Sequence, residues 1–206
     1  MKRIICILAA VTLLIGLVGI IGCNCNIEII RNQDEEEPEL ELEFHPLPPS
    51  TGIETELYTN SEYGFSIEYP KGWDLEEDYM GTVVIFAGDL LENRYMTNVN
   101  ILIEEVPAEM TLEDYAKGSA LTAKKKYENF QIIEQYRTTT IDGYDAIVTT
   151  YRATVTYGEK AFACKDASAW ILRDEKAYSI TYDILESYHS EYLDSFWEAV
   201  RTFKFQ

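Results

Sequence analysis

The chain has 206 residues, with 36 Asp and Glu against 17 Lys and Arg, a formal net charge of -19 and only 2 His. That excess of acid argues against nucleic-acid binding, which needs clustered Lys and Arg, and makes electrostatic attachment to an anionic lipid surface unfavourable. Four cysteines are too few for a disulfide scaffold, and two histidines give little for a transition-metal centre.

The chain opens on the basic start Met1-Lys2-Arg3, and residues 4–22 are almost wholly apolar apart from Thr12. By length such a run can span a bilayer as an uncleaved anchor. Its end, Ile20-Ile21-Gly22-Cys23, resembles the lipobox of prokaryotic lipoprotein signal peptides, and Gly16, Gly19 and Gly22 thin the apolar run just before the cysteine. The resemblance implies cleavage after Gly22. It also implies a diacylglyceryl thioether on Cys23, usually with an amide-linked acyl chain such as palmitate. Each buried methylene contributes about 0.8 kcal/mol, so two or more chains anchor stably. Either reading places the rest of the chain on the outer side of a membrane.

Residues 23–56 read as a tether. Asp34-Glu35-Glu36-Glu37 begins an acidic stretch, and Pro46, Pro48 and Pro49 disfavour helix and sheet. One competing signal is the alternation of Leu40, Leu42 and Phe44 with Glu, a strand pattern able to add to an edge of a partner or of the domain itself.

Residues 57–206 have the length of one domain. Phe65 to Tyr69 alternates and predicts a half-buried strand, closed by Pro70 and the Lys71-Gly72 turn before Trp73. Val83 to Ala87 and Val99 to Val106 predict two more strands. Thr111, with Asp114 three residues on, marks a helix start, and Leu112, Tyr115, Ala116, Ser119, Ala123 and Tyr127 define its inner face. Lys124-Lys125-Lys126 stands at its end, where cations complement the helix dipole. Strands then run over 131–141 and 144–157 across Asp142-Gly143, a two-residue hairpin turn. Turns at Gly158-Glu159 and Asp174-Glu175 lead to strands at 161–173 and 176–184. In the last of these, Tyr178, Ile180 and Tyr182 face one way and Ser179, Thr181 and Asp183 the other. A final helix over 187–202 carries Tyr192, Phe196, Ala199 and Phe203, widened by Trp197 and Val200, and a short strand can follow at 203–205. The expected class is α+β with a largely antiparallel sheet.

Three local sequences resemble the PsbP-like (Mog1/PsbP) group of domains. They are Phe65-Ser66-Ile67-Glu68-Tyr69-Pro70-Lys71-Gly72-Trp73, the hairpin Ile141-Asp142-Gly143-Tyr144-Asp145-Ala146, and the closing Thr202-Phe203-Lys204-Phe205. The resemblance implies an α-β-α sandwich around an antiparallel sheet, in a group whose members are mostly non-catalytic. It carries over no functional residue.

The sequence holds no H-E-x-x-H, Walker loop, G-x-G-x-x-G or G-x-S-x-G motif. No metal site, cofactor or catalytic residue is expected. The carboxylates Asp74, Glu76, Glu77 and Asp78 read as a solvated acidic loop. The aromatic residues read mainly as sheet packing, with Trp73 and Trp170 as the two candidates for ligand stacking. Cys164, in a strand, reads as a small buried thiol, although a Cys25–Cys164 bridge is chemically permitted outside the cytoplasm. The leading functional expectation is a lipid-anchored, extracytoplasmic, non-catalytic module with a protein partner in the envelope. The alternatives are a receptor for a small ligand or cation, and a hydrolase.

Overall fold

The computed structural model describes residues 42–92, 95–157 and 159–206; the side chains of Gln135 and Tyr157 fall outside that description. Cys6, Cys23 and Cys25 lie outside it as well. In chain order the elements are β1 (Glu43–Phe44), β2 (Thr55–Asn60), β3 (Phe65–Pro70), β4 (Asp74–Glu77), β5 (Val84–Leu91), β6 (Tyr95–Glu105), α1 (Leu112–Lys126), β7 (Glu128–Ile141), β8 (Tyr144–Tyr157), β9 (Lys160–Arg173), β10 (Lys176–Asp183), α2 (His189–Thr202) and β11 (Lys204–Phe205). Among the described residues the strands make two sheets: an eight-stranded one ordered β1-β7-β8-β9-β10-β6-β5-β4, and a three-stranded one ordered β11-β3-β2. The β1–β7 pair is parallel and the other pairs are antiparallel, so the large sheet is mixed.

Turn chemistry sets the hairpins. Asp142 and Gly143 both take positive φ, 49° and 81°, which matches the right-handed twist of β7 and β8. Asp174 and Glu175 do the same at 51° and 56° without a glycine. Thr111 caps α1, accepting from Asp114 N at 3.0 Å, and donates its own hydroxyl to Asp114 Oδ2 at 2.8 Å, which makes the expected helix start concrete.

The large sheet has two unlike faces. Registers place Val99 and Ile101 of β6 beside Tyr182 and Ile180 of β10, and these beside Ala167 and Ala169 of β9, all fully buried. Against this apolar face pack α2, with Phe196 stacked on Tyr182 at 6.1 Å, and the small sheet, with Phe65 stacked on Phe203 at 5.3 Å and Tyr69 on Phe86 at 4.5 Å. The other face carries Asn98 and Asn100, then Ser179, Thr181 and Asp183, then Asp166 and Ser168, then Thr149 and Tyr151. Most of these are also buried, because α1 lies over them.

The acidic segment departs from a free tether between 42 and 56. Glu43 and Phe44 pair with Arg137 and Thr138, and His45 N donates to Thr138 O at 2.8 Å, so the Leu42/Phe44 alternation adds an edge strand to the domain itself. Arg201 of α2 then holds the proline turn: Nε and Nη2 donate to Pro48 O at 3.1 and 2.9 Å, and Nη2 donates to Pro49 O at 3.0 Å. Glu198 pairs with Arg201 and accepts from Ser50 Oγ at 3.0 Å. Proline carbonyls have no N–H of their own to recruit a strand partner, and a guanidinium fork satisfies them instead. The chain from 55 to 60, which straddles the expected boundary between tether and domain and where the sequence predicts no strand, is β2, an edge strand of the small sheet. The acidic stretch after Trp73 is likewise the exposed edge strand β4 rather than a loop.

Arg201→Ala should therefore free residues 46–54, while Glu43 to His45 keep their pairing to β7. Limited proteolysis is expected to cut there in the variant and not in the parent, with a stability loss of about 1–3 kcal/mol for the lost charge-assisted bonds. Arg201→Lys, a point charge in place of a fork, should recover only part of the loss.

Candidate functional site

The polar face under α1 is the feature of this domain that calls for a chemical account. The underside of α1 is built from small residues: Ala116, Ser119 and Ala123 are buried, and Ala120 is half-buried. Small side chains let the helix approach a floor of amides and hydroxyls, leaving a cavity of about 30 Å³ between helix and sheet. Asn100, Thr149, Ser168 and Thr181 line the floor, while Phe130, Ile132 and Trp170 form walls. That volume suits a water or two.

Beside the cavity stand two carboxylates. The β9–β10 register sets Tyr182 opposite Ala167, so the next pair is Asp183 opposite Asp166, with Asn98 and Tyr151 opposite them on the outer strands. Directly opposed residues have Cβ atoms roughly 4.5–5.5 Å apart. Both aspartates are 0% exposed. Asp183 Oδ2 accepts from Asn100 Nδ2 at 2.9 Å. Asp166 Oδ1 accepts from Ile184 N at 3.0 Å, which frees the Lys165 carbonyl to accept from His189 Nδ1 at 2.8 Å. The remaining oxygens, Asp166 Oδ2 and Asp183 Oδ1, have no hydrogen-bond partner, nor do the buried hydroxyls of Tyr95, Thr97 and Tyr151.

Burial pushes the Asp166 carboxyl well above the ordinary carboxylate range, and the charge of Asp183 adds to this, against the opposing Ile184 N–H. Burial raises Asp183 too, tempered by the bonds from Asn98 and Asn100 and by the Lys126 ammonium at the end of α1. Two like charges this close in a dry setting do not both ionise readily, so the pair retains protons into the neutral range. Burial likewise raises Cys164 and the phenols of Tyr95, Tyr127 and Tyr151, so these stay neutral. At the other end of α1, Tyr115 OH donates to Glu104 Oε2 at 2.7 Å.

The residues singled out from sequence lie elsewhere or are packed. Trp170 is 5% exposed and packs with Tyr136 beneath α1, so its ring faces protein rather than solvent. Trp73 is half-buried against Gly88, where an added Cβ would sit 2.6 Å from Trp73 Cε2. Cys164 is free and buried, and Cys23 and Cys25 lie outside the described residues. His45 pairs at the surface with Glu43 at 3.4 Å, while His189 is buried on the far side of β9. Among the described residues no group of three or more His, Cys, Asp or Glu is placed to hold a metal ion. Asp166 and Asp183 were not singled out from the sequence. Yet the two-residue turn at Asp174-Glu175 fixes the strand register and would have placed them opposite each other.

The family model described as PsbP-like protein matches residues 4–205. The chain belongs to the PsbP-like family. Among solved structures, the cyanobacterial PsbP (CyanoP) from Synechocystis sp. PCC 6803 matches with a TM-score of 0.55 at 19% identity, over 78% of this chain and 99% of that one. LpqN from Mycobacterium tuberculosis matches with a TM-score of 0.54 at 10% identity, over 76% of this chain and 88% of that one. At these identities the two structures show the shared fold. No curated protein matches the sequence. The PsbP-like domain here thus combines a mixed sheet and two helices with a buried aspartate pair beneath the first helix.

The pair sets a sign for the pH dependence. The folded state binds protons that the unfolded chain has released, so the pair's contribution to stability is fully present below the ordinary Asp value of about 4 and is lost as pH rises through the raised folded values. The slope approaches about 1.4 kcal/mol per pH unit for each proton so held. Asn mimics the protonated acid. Asp166→Asn and Asp183→Asn should therefore flatten the fall between about pH 5 and about pH 8 in urea titrations, and leave each variant at least as stable as the parent at the upper end. A second expectation concerns Trp73: Gly88→Ala should cost about 1–3 kcal/mol by forcing the indole out of its seat, and Trp73→Leu in the same chain should recover part of it in thermal melts.

Proposed function

We propose that the protein is a lipid-anchored, extracytoplasmic accessory module that works by binding a protein partner in the cell envelope rather than by catalysis. In this reading residues 1–22 are a signal peptide, Cys23 carries the lipid, and the chain from 23 leads to a single α-β-α sandwich domain. The observation that carries the non-catalytic part is the sealing of the most perturbed acids. Asp166 and Asp183 are 0% exposed and neither lines the neighbouring cavity of about 30 Å³, which itself admits water but no substrate. That size also gives little support to the small-ligand receptor, which needs a pocket of roughly 300 Å³ or more, and the hydrolase alternative lacks an open cleft holding the acids. The family membership supports an accessory role, and the fold-mate LpqN is described as involved in cell envelope biogenesis. The anchor rests on Gly22-Cys23 at the end of the apolar run. Among the described residues no helix is long and apolar enough to cross a membrane.

Mass spectrometry of the chain purified from its own membrane fraction tests the anchor. A mature N-terminus at Cys23 bearing two or three acyl chains is the expected result, and Cys23→Ser should retain Met1 or lose the lipid mass. An intact Met1 with a bare thiol at Cys23 in the parent chain overturns the lipoprotein reading. Crosslinking on intact cells tests the partner: a stoichiometric envelope protein supports the accessory role, and its absence argues against it.

A further inference from the structure

We propose that Asp166 and Asp183 form a proton-dependent latch for α1: the helix is seated while at least one of the two carboxyls holds a proton, and the second half of the helix lifts when both ionise. This goes beyond the functional reading above and does not depend on it.

Geometry carries the argument. The two carboxyls oppose each other across β9 and β10, fully buried, each with one oxygen left without a partner. What reaches them from α1 is its end, where Lys126 and the C-cap Tyr127 interact electrostatically with the pair and Ala123 and Tyr127 are buried. That half makes a thin seal, since Ser119, Ala120 and Ala123 offer little apolar area and the adjoining cavity of about 30 Å³ already gives water a foothold beside Asn100 and Ser168. The first half is held differently. Tyr115 reaches Glu104 at 2.7 Å and approaches Ser179 at 3.3 Å, and it packs in a cluster with Ala116, Val106 and Trp170.

Between the halves lies Gly118, whose position is open enough that an added Cβ would meet nothing within 4 Å. The hydroxyl of Thr122 donates back to Gly118 O at 2.9 Å, a contact that loosens and bends a helix. A glycine in mid-helix weakens it by about 1 kcal/mol relative to alanine. Residues 119–126 can therefore swing on Gly118 while residues 112–117 stay docked.

The surroundings decide which group titrates. Tyr95 of β6, Tyr151 of β8, Cys164 of β9 and Tyr127 at the end of α1 face the pair, and burial keeps all four neutral well above neutral pH. Tyr182 of β10 acts from the apolar face and is held neutral in the same way. Lys126 of α1 is the cation that acts on Asp183, and it moderates the charge without removing the burial cost of the second ionisation. His189, whose charged form burial disfavours, is committed to the Lys165 carbonyl.

Hydrogen exchange on the full-length chain, corrected for intrinsic rates, tests the latch. Between about pH 6 and about pH 9, amides of residues 119–126 should lose about tenfold or more in protection, the equivalent of one pKa unit of linkage, while β8 and β9 hold theirs. The double variant Asp166→Asn, Asp183→Asn should show protection independent of pH. Gly118→Ala should reduce the loss in an otherwise unchanged chain. A flat profile in the parent, or the same loss in the double variant, overturns the proposal. Should the double variant not fold, carbon-13 shifts of the aspartate carboxyls in the parent chain decide. A carboxyl that titrates in step with the loss of protection supports the latch, and aspartates that all titrate below about pH 5 overturn it.

Discussion

The central strands of the eight-stranded sheet are buried on both faces although only one face is apolar, and that mismatch governs the architecture. Covering an apolar face is favourable in proportion to its area. Covering a polar one is tolerable only where its amides, hydroxyls and acids find partners or shed their charge. The molecule does both, and the two helices differ accordingly.

On the apolar side, α2 contributes Phe196, Ala199 and Val200, all fully buried, and joins the small sheet through Phe203 against Phe65. Removing any of these rings would open a void, so this half carries most of the packing energy. On the polar side, α1 contributes Ala116, Ala120, Ala123 and Ser119. Its seat is set by specific polar contacts, of which Tyr115 to Glu104 is the clearest. The sheet residues beneath it form short lateral bonds, Ser168 to Thr181 at 3.2 Å and Asn100 to Asn98 at 2.9 Å, that satisfy the floor from within. What remains unsatisfied gathers at Asp166, Asp183, Tyr95, Thr97 and Tyr151, and the acids respond by keeping protons. The acidity of the chain as a whole plays no part in this. Among the described residues, acidic side chains also line exposed edges such as β4, where charge discourages edge-to-edge pairing.

Much of the fold is legible in local sequence. The strand from Phe65, the Thr111 cap, the Asp142-Gly143 turn and the stripe of the last helix each follow from short-range preferences, and each recurs in the structure. The misses share one cause. The strands β2 and β4 are short or acidic edge elements whose alternation is too weak to stand out, whereas β1 is announced by the Leu42/Phe44 alternation but not its partner. β2 and β4 each pair with the next strand in sequence, while β1 pairs with β7, and Arg201 binds the segment after β1, far along the chain. The aspartate pair is an intermediate case. Hairpin counting from Asp174-Glu175 suffices to place the two acids opposite each other, but nothing local says that the face they share is covered.

The sequence by itself determined the strand periodicity, the turns, the apolar stripe of α2 and the pattern by which the family is recognised, because these depend on spacings of two to four residues. Tertiary structure decided which side of the central strands meets solvent, and the answer was neither. A row reading Ser179, Thr181, Asp183 has the pattern of an exposed face. It becomes an interior only because α1, some sixty residues earlier, presents side chains small enough to lie on it. Burial is a property of what packs above a residue, so the ionisation of Asp166 and Asp183 belongs to the assembled layers and not to either strand.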